Sequence, residues 1–502
     1  MRSAEAIQRT AWEEMPIECI FAPLEDGRTL HQGWSPQCHK VPSVSEDAWG
    51  VLKTTSIQAG EFQPEHNKLL PTGLDPRPLI EVKEGDILIT CAGPRARCGV
   101  SCLVRQTRKR LMMSGKMYRF RVDAARADAR YVEAFLQTER ARLAIDKMKT
   151  GSSDSGLNLT HDRFRQLSIP VGPLPEQRRI VAEIEKQFTR LEAGLTALKR
   201  VQAGLKRYRA AVLKAACEGK LVPTEAELAK VAAASRRSAS GSGVAPLSPD
   251  KSRDGSSTFE TGAQLLARIL AERRAKWTGR GSYKEPAVPD APAETELPEG
   301  WVWAGFDQLS DGSRHAMKAG PFGSSLKKSV YTPRGFKIYG QEQVIKGDAY
   351  YGDYFISRDL YEKLRSCEVH AGDILVSLVG TAGKVLVLPA DCAPGIINPR
   401  LLKMSLSRSG IHPKFIKILM EAPQTRTFFK LAAHGGTMEI LNLGILKSLP
   451  VPLPPLAEQT RIVAEVERRL SVVEELEAVV SANLQRAGRL RQSILKNAMA
   501  LS

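Results

Sequence analysis

A twelve-residue stretch of this chain occurs twice, with nine of its positions identical. The first copy is Leu174-Pro175-Glu176-Gln177-Arg178-Arg179-Ile180-Val181-Ala182-Glu183-Ile184-Glu185, and the second is Leu456-Ala457-Glu458-Gln459-Thr460-Arg461-Ile462-Val463-Ala464-Glu465-Val466-Glu467. They align without a gap at an offset of 282, and the register continues downstream: Arg207, Arg209, Leu213, Lys214 and Ala216 meet Arg489, Arg491, Leu495, Lys496 and Ala498. A duplication of this length restricts the chain to two like halves.

Each copy opens a long helix. Pro175 suits a first helical turn, Glu176 and Glu183 lie toward the positive end of the dipole, and Lys206, Arg207, Arg209 and Lys214 toward the negative end. After Ile180, Phe188, Leu191, Leu195, Leu198, Leu205 and Val212 follow three- and four-residue steps interrupted by Gln202 and Arg209, which is a heptad seam. With no proline before Pro223 a helix within 174–221 can run about forty residues, about 60 Å at ~1.5 Å per residue. The second, over 456–502, puts Leu470, Val473, Val480, Leu484 and Ile494 on its seam after Ile462. A lone apolar stripe needs a partner, and each copy is the nearest candidate for the other. Since each helix follows a globular region, antiparallel pairing predicts a pseudo-twofold arrangement resembling a dimer written in one chain.

The globular regions repeat as well. Gly85-Asp86-Ile87-Leu88-Ile89 and Gly372-Asp373-Ile374-Leu375-Val376 read as Gly-Asp turns feeding buried strands. Leu157-Asn158-Leu159 is echoed by Leu441-Asn442-Leu443, and Ile169-Pro170-Val171 by Leu449-Pro450-Val451. A helix is expected from Asp128 to Lys149, and Phe415 to Leu419 takes the matching place. Between the halves, Ser, Gly and charge at 235–243 and 248–257 and prolines at 286, 289 and 292 indicate a connector with one short helix around Leu265 to Leu270. The expected order is globular region 1–173, helix 174–221, connector 222–296, globular region 297–455 and helix 456–502. The class is α+β: two mixed α/β domains joined by two long antiparallel coiled-coil helices in a pseudo-twofold internal repeat.

Lys plus Arg exceed Asp plus Glu by 18, which favours a polyanionic partner. The start of the chain carries Glu5, Glu13 and Glu14 and no apolar run, unlike a signal peptide, and no stretch reaches the ~18 apolar residues of a membrane span, so a cytoplasmic protein without membrane contact is expected. Eight cysteines in 502 residues read as reduced thiols. Cys91, Cys98 and Cys102 cluster, but no fourth ligand stands at a zinc spacing, so no metal is expected. Two globular domains on a helical spacer match the geometry of a reader of two DNA half-sites separated by whole turns of ~34 Å. A scaffold rod with two adaptor domains fits periodicity and charge equally well.

Further residues resemble the DNA specificity subunit of type I restriction-modification enzymes. They are Gly320-Pro321-Phe322-Gly323-Ser324-Ser325-Leu326-Lys327, both Gly-Asp-Ile-Leu stretches, Leu297-Pro298-Glu299-Gly300-Trp301 and the paired Glu-Gln-x-x-Ile-Val-Ala-Glu entries. The resemblance implies two target recognition domains, each reading a half-site in double-stranded DNA, joined by antiparallel helices that dock two methyltransferase subunits and restriction subunits. It also implies that S-adenosylmethionine, Mg and ATP belong to those partners and that this chain binds no cofactor. The first domain departs from the pattern: it lacks the Leu-Pro-x-Gly-Trp opening and offers Gly33-Trp34-Ser35-Pro36 in place of Gly-Pro-Phe-Gly.

Gly320 to Lys328 combines glycines that permit close approach with Ser324, Ser325, Lys327 and Lys328 as donors to phosphates or bases. Gln341 and Gln343 could read adenine and Arg400 guanine; each is equally a surface or fold-internal residue. In the first domain Trp34, Ser35, Lys53 and Thr54 are candidates, and Arg95, Arg97, Arg105, Arg108, Lys109 and Arg110 form the densest basic run, either a solvated face or a phosphate clamp. Glu176-Gln177 and Glu458-Gln459 are either helix caps or partner contacts, while Phe188, Leu191, Leu195, Leu470, Val473 and Leu484 are expected in the core. Gly380-Thr381-Ala382-Gly383-Lys384-Val385 lacks the spacing of a phosphate loop, and Ile397-Asn398-Pro399-Arg400 is not an adenine-methyltransferase motif. With neither a Walker set nor an acidic metal cluster, the chain reads as a non-catalytic subunit; a fused restriction or methylation enzyme is the alternative.

Overall fold

The computed structural model describes residues 12–240, 259–278, 281–292, 295–321, 325–432 and 441–500. The chain divides into two compact units, Met1–Val201 with Val479–Ser502, and Gln202–Ala478.

In the first unit β1 (Glu13–Pro16) pairs antiparallel with β8 (Ser168–Val171). The main sheet sets β5 (Ser101–Leu103) against β4 (Ile87–Thr90) and β4 against β7 (Met117–Val122), with β2 (His31–Gln32) on the far side of β7. Beside it β6 (Leu111–Met112) runs parallel to β3 (Gly50–Leu52).

The second unit repeats this plan. Its β9 (Val302–Gly305) pairs with β16 (Pro450–Leu453). The sheet order is β13 (Val385–Val387), β12 (Ile374–Ser377), β15 (Leu401–Met404) and β10 (Met317–Ala319). Likewise β11 (Phe336–Tyr339) runs parallel to β14 (Gly395–Ile397).

The Gly-Asp turns show why the repeat is legible. Asp86 accepts the backbone N–H of Lys83 at 2.7 Å and Asp373 that of His370 at 2.8 Å, while Gly85 and Gly372 take φ of 86° and 83°, a region that disfavours a side chain. The carboxylate closes the turn from inside, and the strand that follows is buried along its whole length in both units.

Three expectations need correction. The helix expected from Asp128 to Lys149 is two: α1 (Ala129–Leu136), capped by Asp128, and α2 (Glu139–Met148), where the Thr138 hydroxyl accepts the N–H of Ala141 and starts a new helix. The second unit makes the same break between Pro413–Glu421 and Pro423–Ala432, where Pro423 cannot continue a helix. The connector carries two helices, not one: Glu225–Ser240 and Gly262–Ala275. Thr224 and Glu227 form a capping box with reciprocal bonds of 3.1 and 2.8 Å, a start signal that the Ser- and Gly-rich stretch beyond it obscured. The second connector helix also packs, since Leu265, Leu266 and Ile269 join the core of their unit.

The two long helices, Leu174–Cys217 and Leu456–Ala500, pack against each other. Both units give the same direction. In the first, Ile180, Val181 and Ile184 share a core with Leu495 and Ala498; in the second, Val212, Leu213 and Ala216 share one with Ile462, Val463 and Val466, so the pairing is antiparallel. Val466, Val473, Val480, Ala487 and Ile494 are all buried at strict seven-residue steps. Phe188, Leu191, Leu195, Leu470 and Leu484, expected in the core, are only half-buried. A pair of helices leaves the flanks of its seam open to solvent, so Val473 alone of those six is fully enclosed.

Candidate nucleic-acid interface

In the second unit the recognition candidates gather at one end of the sheet. A Cβ on Gly320 would overlap the carbonyl oxygen of Asn398, and the Gly320 N–H donates to the Leu401 carbonyl at 2.9 Å, so glycine is required where the chain leaves β10. The Asn398 side chain accepts the N–H of Arg400 at 3.0 Å, and the Arg400 carbonyl accepts the N–H of Leu378 at 3.0 Å. Gln341 then rivets the 378–384 loop, donating to Ser377 at 2.9 Å, to Thr381 at 3.0 Å and to the Val379 carbonyl. Three loops, following Gly320, Ser377 and Ile397, are thereby fastened to one another.

The cations of this group remain outward. Leu326 is buried as an anchor while Ser325, Lys327 and Lys328 are exposed, as are Lys384 and Arg400. Lys327, Lys328, Lys384 and Arg400 carry no ion pair among the described residues, and Pro321 is half-buried at the loop's start. Phe322, Gly323 and Ser324 lie outside the described residues. Gln343, by contrast, is fully buried, accepting the N–H of Gly340 at 2.9 Å and donating to the Tyr351 carbonyl at 2.9 Å. Both glutamine amides donate within the fold, so neither is a free reader of adenine.

The first unit has the same construction. A Cβ on Gly33 would overlap the carbonyl oxygens of Met113 and Ser114, Trp34 donates its N–H to Met113 at 3.0 Å, and Ser35 accepts the N–H of Gly115 at 2.9 Å. Gly33 follows β2 as Gly320 follows β10, and the Arg77 guanidinium stacks on Trp34 at 4.1 Å.

The basic run of this unit does not form a free phosphate clamp. Arg95 bridges Asp146 and Asp154 at 2.6 and 2.9 Å. Arg97 donates to the carbonyls of Thr54 and Ile57, and Arg105 clamps the buried carboxylate of Glu133. Arg108 reaches the carbonyls of Ser43, Ser45 and Ala48 at 3.0–3.3 Å. Arg110, at φ 62°, donates its N–H to Glu81 and pairs with Asp47 at 3.6 Å. These five arginines tie loops to the domain; Lys109 alone faces solvent without an ion pair among the described residues. Lys53 and Thr54 are half-buried beneath them, with the Thr54 carbonyl engaged by Arg97. Cys91, Cys98 and Cys102 are buried free thiols, and burial pushes the Cys91 thiol up to about 12.

The Glu-Gln pairs resolve as internal joints. Gln177 accepts the N–H of Asp128 at 2.9 Å and donates to the carbonyls of Arg126 and Gly172; Gln459 accepts the N–H of His412 at 2.9 Å and donates to Gly410 and Pro454. Both glutamines are completely buried. Trp12 donates to Glu176 at 3.1 Å and Trp301 to Glu458 at 2.9 Å. Each tryptophan stands immediately before the strand that pairs with the exit from its domain, so Trp12 fills the role that the missing Leu-Pro-x-Gly-Trp opening had left unassigned. The sequence carried that signal in a lone tryptophan preceding a first strand.

Residues 323–478 match the family model described as type I restriction modification DNA specificity domain. The chain resembles type I restriction-modification specificity subunits. The chain is 39% identical over 177 residues to the type I restriction enzyme EcoEI specificity subunit of Escherichia coli, covering 35% of this chain and 29% of that one. It is 31% identical over 143 residues to the EcoBI specificity subunit of Escherichia coli, covering 28% and 30%. Those alignments thus span less than a third of either relative. The EcoKI specificity subunit of Escherichia coli (strain K12) aligns over 97% of this chain and 89% of its own at 20% identity. The fold is similar to that of a chain from a structure described as the basis of complex assembly and conformational transition of the type I R-M system, with TM-score 0.60, 17% identity and 97% of both chains covered. No helix among the described residues is long and apolar enough to cross a membrane.

Proposed function

We propose that this specificity subunit recognises a bipartite sequence in double-stranded DNA, one half-site through each globular region, and holds two methyltransferase subunits and restriction subunits on it. The observation that carries this reading is the repeated construction at Gly33 and Gly320, where a glycine-tight exit from the sheet backs a loop in each domain. In the second, exposed Lys327, Lys328, Lys384 and Arg400 supply cations for phosphates and base edges. Catalysis belongs to the partner subunits, with S-adenosylmethionine, Mg and ATP bound there, and the long helices set the number of unread base pairs between half-sites. The specificity-domain match over residues 323–478 and the excess of basic residues support this reading.

Methylome sequencing of a host carrying this chain with its partner methyltransferase tests it. A new methylated motif split into two halves by unread positions is the expected result. A continuous motif, or no new motif while the methyltransferase is present and folded, would sink it.

A further inference from the structure

The exposed apolar surface of the second globular region is concentrated in one place. Among the described residues of 297–455, the large hydrophobic side chains left exposed are Val330, Ile345, Tyr350, Tyr351, Tyr354 and Leu431. All but Leu431 fall in two short stretches, 330–331 and 345–354, which touch: the rings of Tyr331 and Tyr354 lie 6.0 Å apart, and the Thr332 N–H donates to the Phe355 carbonyl at 2.9 Å.

This loop is presented, not left over. Two buried side chains hold its backbone from beneath. Lys337, 7% exposed, donates its ammonium to the Tyr350 carbonyl at 2.9 Å, and Gln343 donates its amide to the Tyr351 carbonyl at 2.9 Å. Burying a lysine is costly unless it is well partnered, so a buried ammonium aimed at a loop carbonyl fixes that loop firmly. With the Tyr350 and Tyr351 carbonyls held inward, residues Tyr350, Tyr351 and Tyr354 stand 57%, 36% and 41% exposed. Their hydroxyls add donors and acceptors at the tip of a stiff, flat side chain.

The electrostatics divide the surface. Lys327 and Lys328 lie in the turn that leads to Tyr331, and Arg334 follows it, whereas Lys346 covers the Tyr351 ring at 3.4 Å. Against these stand Glu342, Asp348, Asp353 and Asp391, of which Asp348 caps the Tyr350 N–H and Asp391 accepts the Tyr350 hydroxyl. At the tyrosine loop itself the four carboxylates outnumber the cations, while Lys327, Lys328 and Arg334 line its 327–334 side. A phosphate-binding surface would be cationic throughout; an aromatic face lined by carboxylates and bordered by cations suits the edges of bases, whose amino groups donate to acids, with the backbone on the cationic border.

Resting on the DNA-recognition reading above, we propose that residues 350–354 are a specificity-determining element, in which Tyr351 and Tyr354 contact base edges in a groove of the duplex while Lys327, Lys328 and Arg334 hold the adjoining phosphates. Contacts of this kind include the ring against a thymine methyl group and the hydroxyl against a base donor or acceptor.

The test uses the complete chain with its partner methyltransferase. The wild-type methylome comes first: without a split motif it is the DNA-recognition reading that fails, not this one. Given a split motif, the paired variant Tyr351→Ser, Tyr354→Ser is expected to relax positions in one half only, lowering discrimination there by about tenfold and leaving the salt dependence of DNA binding unchanged. Lys327→Ala, Lys328→Ala should do the reverse, weakening all DNA and lowering the slope of log affinity against log salt by about 2. Discrimination within about threefold of wild type, relaxation shared equally by both halves, or a changed salt slope in the tyrosine variant would each overturn the proposal. Should the serine variant melt below wild type, Tyr351→Phe, Tyr354→Phe keeps the rings and carries the same criteria for the hydroxyl contacts.

Discussion

Gln459 accepts the backbone N–H of His412 through its side-chain oxygen at 2.9 Å. Its amide nitrogen meanwhile donates to two carbonyls, so one buried side chain in the first turn of the long helix satisfies three backbone groups of its domain. Gln459→Leu leaves all three without a partner. A loss of about 2 kcal/mol or more is expected, because unsatisfied buried polar groups cost about 1–3 kcal/mol each and partial relaxation recovers some of it. Urea unfolding followed by tryptophan fluorescence reads the change; wild-type stability in the variant would contradict the role assigned to this joint.

Two glutamates should respond to pH with opposite signs. At Glu25 burial opposes the charge, but a hydrogen bond from Lys83, a backbone bond and the guanidiniums of Arg119 and Arg121 outweigh it and hold the carboxyl at about 2, below the usual 4.5. The unfolded chain binds its proton first, so this stability is present above pH 4.5 and is lost as pH falls toward about 2. At Glu458 burial pushes the carboxyl above 4.5 against the bonds from Glu225 and Trp301. There the folded chain holds the proton longer, so stability declines as pH rises through the window just above 4.5. Glu25→Gln should flatten the acid limb, and Glu458→Gln the decline above it, in melting temperatures measured from pH 2 to 7.

Arg105 is expected to matter for folding rather than for DNA. Its guanidinium pairs with Glu133, a carboxylate 4% exposed that also accepts the N–H of Leu103 at 2.7 Å. Arg105→Ala strands that carboxylate, at a cost of about 1–3 kcal/mol because the arginine itself is half open to water. The salt slope of DNA binding should stay as in wild type. A slope reduced by about 1 would return Arg105 to the list of phosphate contacts.

The seam of the long helices contains a polar layer in the second unit, where Arg209 meets Glu474 and Glu477 at 3.5 and 3.3 Å. Ion pairs this open contribute about 0–1 kcal/mol, and leucines at the same heptad positions bury more apolar surface. Arg209→Leu with Glu477→Leu should therefore raise the melting temperature, while Arg209→Ala lowers it slightly. Thermal unfolding of the single and double variants distinguishes the two effects.

Much of this was legible in the sequence because the repeat exposes it twice. The Gly-Asp turns and both long helices rest on local rules, and the structure contains each of them. The site was less so. Arg95, Arg97, Arg105, Arg108 and Arg110 look alike in a string of letters, and what separates them from Lys327 and Lys328 is whether carbonyls and carboxylates from distant segments close around them. Glu133 lies 28 residues from Arg105 and Ser43 lies 65 from Arg108, and no local pattern carries such pairings. The tyrosine loop escaped notice for the converse reason. No local pattern marks Tyr350, Tyr351 and Tyr354, because Lys337 and Gln343 hold the Tyr350 and Tyr351 carbonyls from other elements of the fold.

The seven-residue ladder of Val466, Val473, Val480, Ala487 and Ile494 limits how this chain can change in length. An insertion or deletion of seven residues returns every later rung to the seam, whereas one of three or four unwinds or overwinds the pair locally, and other sizes turn the rungs toward water. One such step adds about 10.5 Å of helix, close to three base pairs at about 3.4 Å each. Mutation can thus lengthen or shorten the paired helices only in discrete increments, made in both copies together. Descendants of this sequence should differ there by whole rungs or by three- or four-residue steps that the pair absorbs locally.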